Sequence, residues 1–342
     1  MSDFRLALEQ AWLKKGLIAC VLRPISWIYG LLIWFRRMLY RSAILPTQSL
    51  PVPVIVIGNV FVGGVGKTPL VIALVKQLTQ KGLKVGVLSR GYGRHREDAL
   101  SVNALSLAKD VGDEPLLIAR SCQVPVFVGK NRFQAGRALL AQNPQVQIIV
   151  CDDGLQHLAL NHDLALCVFD ERGLGNGWLL PAGPLREPWP MHFSASAPII
   201  SLATSHQLPQ QPQVDFQVPR ALAKIARKSD GSTQVLSQFS GQKVQALAGI
   251  GKPQSFFDML RAQGIVLTTT KALADHDDLQ AVTIDPSMGD VLCTEKDAVK
   301  LWQYFPSAWA VPLVTEIPQA LMDIILAQIG PKLSSDYGQQ TT

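Results

Sequence analysis

A glycine-rich turn stands directly behind an apolar run at residues 54–57, and it fixes what this chain can fold into. The turn reads Gly63-Gly64-Val65-Gly66-Lys67-Thr68, and a helical stretch opens at Pro69 and runs to about Leu78. Strand, glycine turn and helix in that order build a phosphate loop. Glycines let backbone N–H groups converge on a phosphate without a Cβ in the way, and the helix N-terminus adds partial positive charge. Lys67 is spaced to reach the β- and γ-phosphates, and Thr68 to hold Mg²⁺. The nucleotide-binding segment is therefore Phe61, Val62, Gly63, Gly64, Val65, Gly66, Lys67 and Thr68. Two departures from the common pattern stand out. The position five before Gly66 asks for glycine and holds Phe61, with Gly58 further upstream, so the loop reads as longer than usual. Val62 occupies the place of the second lysine found in partitioning ATPases. A glycine turn with an incidental lysine is the plain alternative; the strand before it and the helix after it argue against that.

The 342 residues suffice for a large core and two lobes. A balance of 32 Lys and Arg against 26 Asp and Glu gives +6, mild enough for an anionic substrate or an anionic membrane surface. No basic block interleaves with aromatics, so nucleic-acid binding is not expected. The five cysteines are scattered and form no C-x-x-C pair; Cys151 and Cys167 lie in apolar runs as buried free thiols suited to a reducing compartment.

Residues 17–35 are almost wholly apolar, broken by Arg23 and Pro24, and the uncharged run from Pro24 to Phe35 is 12 residues. A span needs about 20. Lys14 and Lys15 precede the run, Arg36, Arg37 and Arg41 follow it, and Trp27, Tyr29 and Trp34 are headgroup-level residue types. The pattern predicts a helix lying in a membrane interface. A transmembrane anchor and a buried core helix are the competing readings; a signal peptide lacks a small-residue cleavage site.

From Pro51 onward short apolar runs alternate with helical stretches. Strands are expected at 54–57, 85–88, 124–128, 148–151, 164–169 and 291–293, and helices at 70–80, 132–142 and after Pro253. This is the rhythm of a parallel sheet covered by helices. The predicted fold is α/β: a P-loop NTPase-like parallel sheet with a second, smaller α/β lobe and an N-terminal membrane-interface helix. The expected divisions are 1–45 for the helix, 46–210 for the phosphate-loop lobe and 211–332 for the second lobe, with 333–342 a frayed tail. Residues 208–218, polar and proline-containing, read as a linker or surface strand.

Several motifs carry candidate chemistry. Asp152 and Asp153 end a buried strand, where a phosphate-loop enzyme holds Mg²⁺; a solvated turn before Gly154 is the alternative. His157 closes that segment. Asp113 sits in Gly112-Asp113-Glu114-Pro115 ahead of an apolar helix, and either caps it or acts as a base. His276 lies among Asp275, Asp277 and Asp278, a carboxylate-flanked imidazole or an exposed helix start. Ser89-Arg90-Gly91-Tyr92-Gly93-Arg94 closes the second strand, and the stiff stretch 180–188 carries Arg186 and Glu187.

Taken in order, these stretches resemble the tetraacyldisaccharide 4′-kinase family of lipid A biosynthesis. The resemblance rests on Gly58-Asn59 with the phosphate loop, Ser89 to Gly93, Gly112 to Pro115, Asp152 to His157, Gly175-Asn176-Gly177 with 180–188, Ala248-Gly249-Ile250-Gly251, and Thr294-Glu295-Lys296-Asp297-Ala298. It implies transfer of the γ-phosphate of ATP, with Mg²⁺, to the 4′-hydroxyl of a tetraacylated disaccharide 1-phosphate, giving lipid IVA. It implies an acylated disaccharide lipid substrate met at the cytoplasmic face of the inner membrane, and no protein partner. Asp113 and His276 would form the catalytic pair, with Lys67 at the phosphates and Thr68, Asp152 and Asp153 around the metal. Arg90, Arg132, Arg186, Glu187 and His157 are candidates for substrate or phosphate contacts. The rival readings are a nucleotide-switch GTPase, a membrane-partitioning ATPase and a carboxylate ligase. Thr294 to Asp297 is faintly similar to the guanine-reading T-K-x-D pattern, with Lys296 one place late.

Overall fold

The computed structural model describes residues 10–94, 98–191, 197–205, 212–274, 279 and 282–337. The first sheet has eight strands: β1 (Val54–Gly58), β2 (Val85–Ser89), β3 (Leu100–Val102), β4 (Val126–Val128), β5 (Ile148–Asp152), β6 (Leu164–Phe169), β7 (Ile199–Ala203) and β8 (Phe216–Gln217). Their order is β3-β4-β2-β5-β1-β6-β7-β8. Every pairing is parallel except that of β3 with β4. Strands β1, β5 and β6 are buried throughout, which is why they read as continuous apolar runs rather than alternating ones. The helices of this half are α1 (Leu17–Arg41), α2 (Lys67–Gln80), α3 (Ala108–Val111), α4 (Asp113–Cys122) and α5 (Arg132–Gln142).

The rest of the chain adds β9 (Arg220–Leu222), β10 (Ile225–Arg227), β11 (Thr233–Val235), β12 (Lys243–Ala248), β13 (Val266–Ala272), β14 (Asp290–Thr294), β15 (Trp309–Val311) and β16 (Leu313–Thr315). A six-stranded sheet runs β11-β10-β15-β14-β12-β13, and β9 pairs with β16 in a two-stranded ribbon. Helices α6 (Pro253–Ala262) and α7 (Glu295–Leu301) belong with this sheet. Its core holds Phe239, Phe256, Phe257, Leu260 and Trp309 on one side and Leu247, Cys293 and Leu301 on the other. The protein is thus α/β with a large parallel sheet and a second, smaller sheet.

The last helix, α8 (Gln319–Tyr337), departs from the sequence expectation. Leu321, Met322, Ile325 and Ile329 share one helical face and enter the core of the first sheet. A stretch assigned by sequence to the second lobe therefore packs on the first, and the helix continues past Pro331 into the stretch expected to fray. Residues 338–342 lie outside the described residues. Phe216 and Gln217, expected as linker or surface strand, form the edge strand β8.

Helix α1 has an 18-residue window of mean hydropathy 1.7, of which only 11% is buried, so it is not a core helix. Leu17, Val21, Trp27, Ile28, Leu31, Leu32 and Trp34 are exposed. A narrow stripe through Ala19, Ser26 and Arg37 faces the protein. Ser26 Oγ donates to Leu179 O at 2.7 Å, and Tyr29 OH to Arg186 O at 3.1 Å. Arg36 Nη2 donates to Gln156 O at 3.2 Å. The Arg23 guanidinium lies 4.0 Å from the Trp178 ring centre. Arg37 and Glu187, each 4% exposed, pair at 2.5 Å. The helix lies along the body with its apolar face outward.

Candidate functional site

Strands β2, β5, β1 and β6 are neighbours and run parallel, so their carboxyl ends form one edge. Ligands of open α/β sheets bind at such an edge. It carries Ser89 and Arg90, then Asp152 and Asp153, then Asn59 leading into the phosphate loop, then Asp170 and Arg172. Gly66 precedes α2 in the left-handed conformation (φ +80°), where a Cβ would also lie 2.6 Å from Arg220 Nη1.

Phe61, in the place of the expected glycine, is a buttress. It is buried, and the Arg172 guanidinium stacks 4.1 Å from its ring centre. Arg172 Nη2 donates to Gly64 O at 2.9 Å while Nε and Nη2 donate to buried Asp170. On the other side Val62 N donates to Pro184 O at 2.9 Å, tying the loop to the stiff 180–188 stretch.

Lys67 is the first residue of α2, and Thr68 follows it on the first turn. Lys67 Nζ donates to Asn59 Oδ1 at 2.9 Å and lies 3.2 Å from Asp153 Oδ1. Arg186 Nη2 also bonds Asn59 Oδ1 and sits 3.5 Å from Asp153 Oδ1. Burial works to raise the Asp153 carboxyl, but Lys67 and Arg186 outweigh it and hold it below the usual range. Asp152 is different. Burial, then the neighbouring Asp153 charge, pushes its carboxyl up to about 7, with Lys67 and Arg132 opposing. Ser89 Oγ is 3.5 Å from Asp152 Oδ2, and Oδ1 is buried without a hydrogen-bond partner.

That orphaned oxygen fits a cation ligand. Among the described residues no cluster of three His, Cys, Asp or Glu could hold a metal by itself. Mg²⁺ commonly takes one or two carboxylates, keeps water, and shares the rest of its sphere with substrate phosphates. Asp152, Asp153 and the Thr68 hydroxyl suit such an ion.

Arg132 opens α5, is buried, and donates from Nη1 to Gly129 O at 2.6 Å. His157 N donates to Gly154 O at 2.9 Å. Burial, then Arg132, Arg36 and Arg90, pushes the His157 imidazole down to about 4, so it is neutral at pH 7. Arg90 is exposed at the end of β2. Glu187, next to Arg186, is engaged with Arg37 of α1 rather than with the loop.

Asp113 is the first residue of α4; the cap position belongs to Gly112, so the capping alternative misses by one residue. Gly112 (φ +94°) lies against the Gly91 turn, where a Cβ would come within 3.1 Å of Gly91 Cα. The two glycine motifs, far apart in sequence, thus pack together and set where Asp113 begins its helix. Its carboxylate is 2.8 Å from Lys300 Nζ. His276, with Asp275, Asp277 and Asp278, lies outside the described residues.

Sequence reasoning did not single out the roles of Asn59, Asp170, Arg172, Lys252 and Lys300. Asn59 bridges Lys67 and Arg186. Lys252 Nζ, from the segment before α6, is 3.1 Å from Asp170 Oδ2 and also pairs with Glu171. The available signal was Asp170-Glu171-Arg172 directly after the apolar run 164–169, an acidic strand end like that of Asp152.

The model of the family described as tetraacyldisaccharide-1-P 4′-kinase matches residues 18–330. The tetraacyldisaccharide 4′-kinase of an Acidovorax species is 48% identical over 331 residues, covering 96% of each chain. That of Polaromonas naphthalenivorans is 46% identical over 344 residues, covering 98% of this chain and 99% of its own. A crystal structure of LpxK from Aquifex aeolicus in complex with ATP is similar at a TM-score of 0.79 and 28% identity, over 93% of this chain and 100% of that one.

Proposed function

This chain belongs to the tetraacyldisaccharide-1-P 4′-kinase family, and from that membership we propose how it works. It is an ATP-dependent lipid A disaccharide kinase that moves the γ-phosphate to the 4′-hydroxyl of a tetraacyldisaccharide 1-phosphate. The observation that carries this is the family match across nearly the whole chain, joined to a braced phosphate loop with Lys67 and two unlike carboxylates at its mouth.

Phosphoryl transfer asks for position and charge more than covalent chemistry. Lys67 would leave Asp153 for the β- and γ-phosphates, and Arg186, tethered by Asn59, would add a second cation. Thr68, Asp152 and Asp153 would hold Mg²⁺, which neutralises charge at the β–γ bridge. Asp113 would accept the proton of the acceptor hydroxyl, with His276 as the partner that the family resemblance implies. Arg90, Arg132 and His157 remain candidates for phosphate or sugar contacts, and Glu187 serves through Arg37.

A substrate with four acyl chains does not leave a bilayer freely. The outward apolar face of α1, flanked by Lys15, Arg36 and Arg41, supports docking in the interface at the cytoplasmic face of the inner membrane. The GTPase alternative loses its motif: the Asp297 carboxylate is buried and bonded to Thr294 and Gly249, so it cannot read a base.

The test is incubation with γ-labelled ATP and the precursor disaccharide. Label should move to the lipid. Lys67→Ala should cut the rate about a hundredfold or more. Asp113→Ala should lower turnover while ATP affinity stays near wild type. Label that stays in nucleotide or free phosphate would refute the assignment.

A further inference from the structure

The stretch Thr294-Glu295-Lys296-Asp297-Ala298 has no place in the chemistry described so far, yet its contacts lead to Asp113. The Thr294 hydroxyl caps α7, accepting from Asp297 N at 3.2 Å. It donates to Asp297 Oδ2 at 2.5 Å, and Gly249 N donates to the same oxygen at 2.9 Å. A Cβ on Gly249 would stand 2.8 Å from Asp297 Oδ1, so the close approach requires glycine. The first turn of α7 is thereby pinned to the end of β12.

Lys296 and Lys300 are four residues apart on this pinned helix and share a face. Both reach to consecutive acids of the first turn of α4. Lys296 Nζ is 2.7 Å from Glu114 Oε1, and Lys300 Nζ is 2.8 Å from Asp113 Oδ2. The Lys300 and Asp113 side chains are 15% and 7% exposed. Ion pairs so shielded are weak sources of net stability, because desolvation offsets most of the attraction. Their value lies in fixed geometry.

We propose that Lys300 is a positioning residue for phosphoryl transfer. Its ammonium, held in place by α7, fixes the orientation of the Asp113 carboxylate. This rests on the reading of Asp113 as the base. In the step concerned, the acceptor O–H bond breaks and its proton passes to an Asp113 oxygen. The hydroxyl oxygen bonds to the γ-phosphorus, and the bond from that phosphorus to the β–γ bridging oxygen breaks, releasing ADP. In a loose transition state the proton moves late, so a carboxylate oxygen held at a fixed place beside the acceptor hydroxyl is what the step needs.

Steady-state kinetics on the full chain with ATP and the disaccharide lipid tests this. Lys300→Met should lower kcat by about ten- to a hundredfold with the KM for ATP unchanged. Lys300→Arg should recover most of the loss. Lys296→Met, which breaks the adjacent pair of the same interface, should leave kcat near wild type. In an Asp113→Asn background Lys300→Met should cost nothing more, because its effect passes through that carboxylate. Wild-type kcat in Lys300→Met would overturn the proposal, as would equal losses in Lys296→Met and Lys300→Met, or losses that multiply in the Asp113→Asn background. Full activity in Asp113→Asn alone would instead remove the premise that Asp113 is the base. Should Lys300→Met fail to fold, Lys300→Gln is read by the same comparisons.

Discussion

At the scale of single residues, adjacent carboxylates have been given opposite characters by position. Asp153 leaves the strand in the left-handed conformation (φ +49°) and meets Lys67 and Arg186. Asp152 stays in the strand, buried, with its carboxyl pushed up to about 7. Its folded value lies above its unfolded one, so the folded chain holds a proton that the unfolded chain has lost between about pH 4 and 7. Stability therefore falls as pH rises through that window. Asp152→Asn removes the penalty. It should melt a few degrees above wild type at pH 8, with the gain shrinking as pH approaches 4, while kinase activity falls about a hundredfold or more. Scanning calorimetry at the two pH values beside an activity assay checks both halves. An unchanged melting temperature at pH 8 would contradict the burial argument.

At the scale of elements, the phosphate loop is braced on both flanks. Arg172 and Asp170 hold it from β6, and Pro184 and Arg186 hold it from the 180–188 stretch. That stretch is in turn fastened to α1 by the buried Arg37–Glu187 pair. Breaking a buried pair from one side strands a charge and costs about 3–5 kcal/mol. Arg37→Ala should therefore destabilise the protein strongly, whereas Arg37→Met combined with Glu187→Met should recover much of the loss. Chemical denaturation of both variants tests this; equal losses would show that the pair is not buried in solution. Much of this element layer was legible in the sequence. The runs at 54–57, 85–88, 148–151 and 164–169 are buried on both faces and so carry an uninterrupted apolar signal. The braces were not legible. Arg172 on Phe61 and Lys300 on Asp113 join residues over a hundred positions apart, and no local period reports such pairs. The short strands β9 to β11 and β16 carry too few apolar positions to show alternation. Asp113 looked like a cap because Asp before an apolar helix usually is one; Gly112, at φ +94°, holds the cap position, and the Asp113 carboxylate pairs with Lys300 instead.

For the whole molecule, the second sheet matters to the site through its edges. Helix α7 touches α4 through Lys296 and Lys300, and Lys252 touches Asp170 at the carboxyl edge of the first sheet. Helix α8 returns to the first core, so the two sheets are joined by chain as well as by contact. The apolar face of α1 lies outside both. Replacing Leu31 and Ile28 with serine should reduce binding to anionic vesicles about tenfold or more, given about 25 cal/mol per Å² of apolar surface. The melting temperature should stay unchanged, since neither side chain packs inside. Vesicle co-sedimentation reads the outcome, and undiminished binding would sink the interfacial placement.

The most direct measurement is of the product itself. The protein is incubated with ATP, Mg²⁺ and the tetraacyldisaccharide 1-phosphate, and the lipid is examined by phosphorus NMR and mass spectrometry against the ADP released. The account predicts one new phosphate monoester on the 4′ carbon for each ADP. ADP without a phosphorylated lipid, or a phosphate on any other hydroxyl, would contradict it.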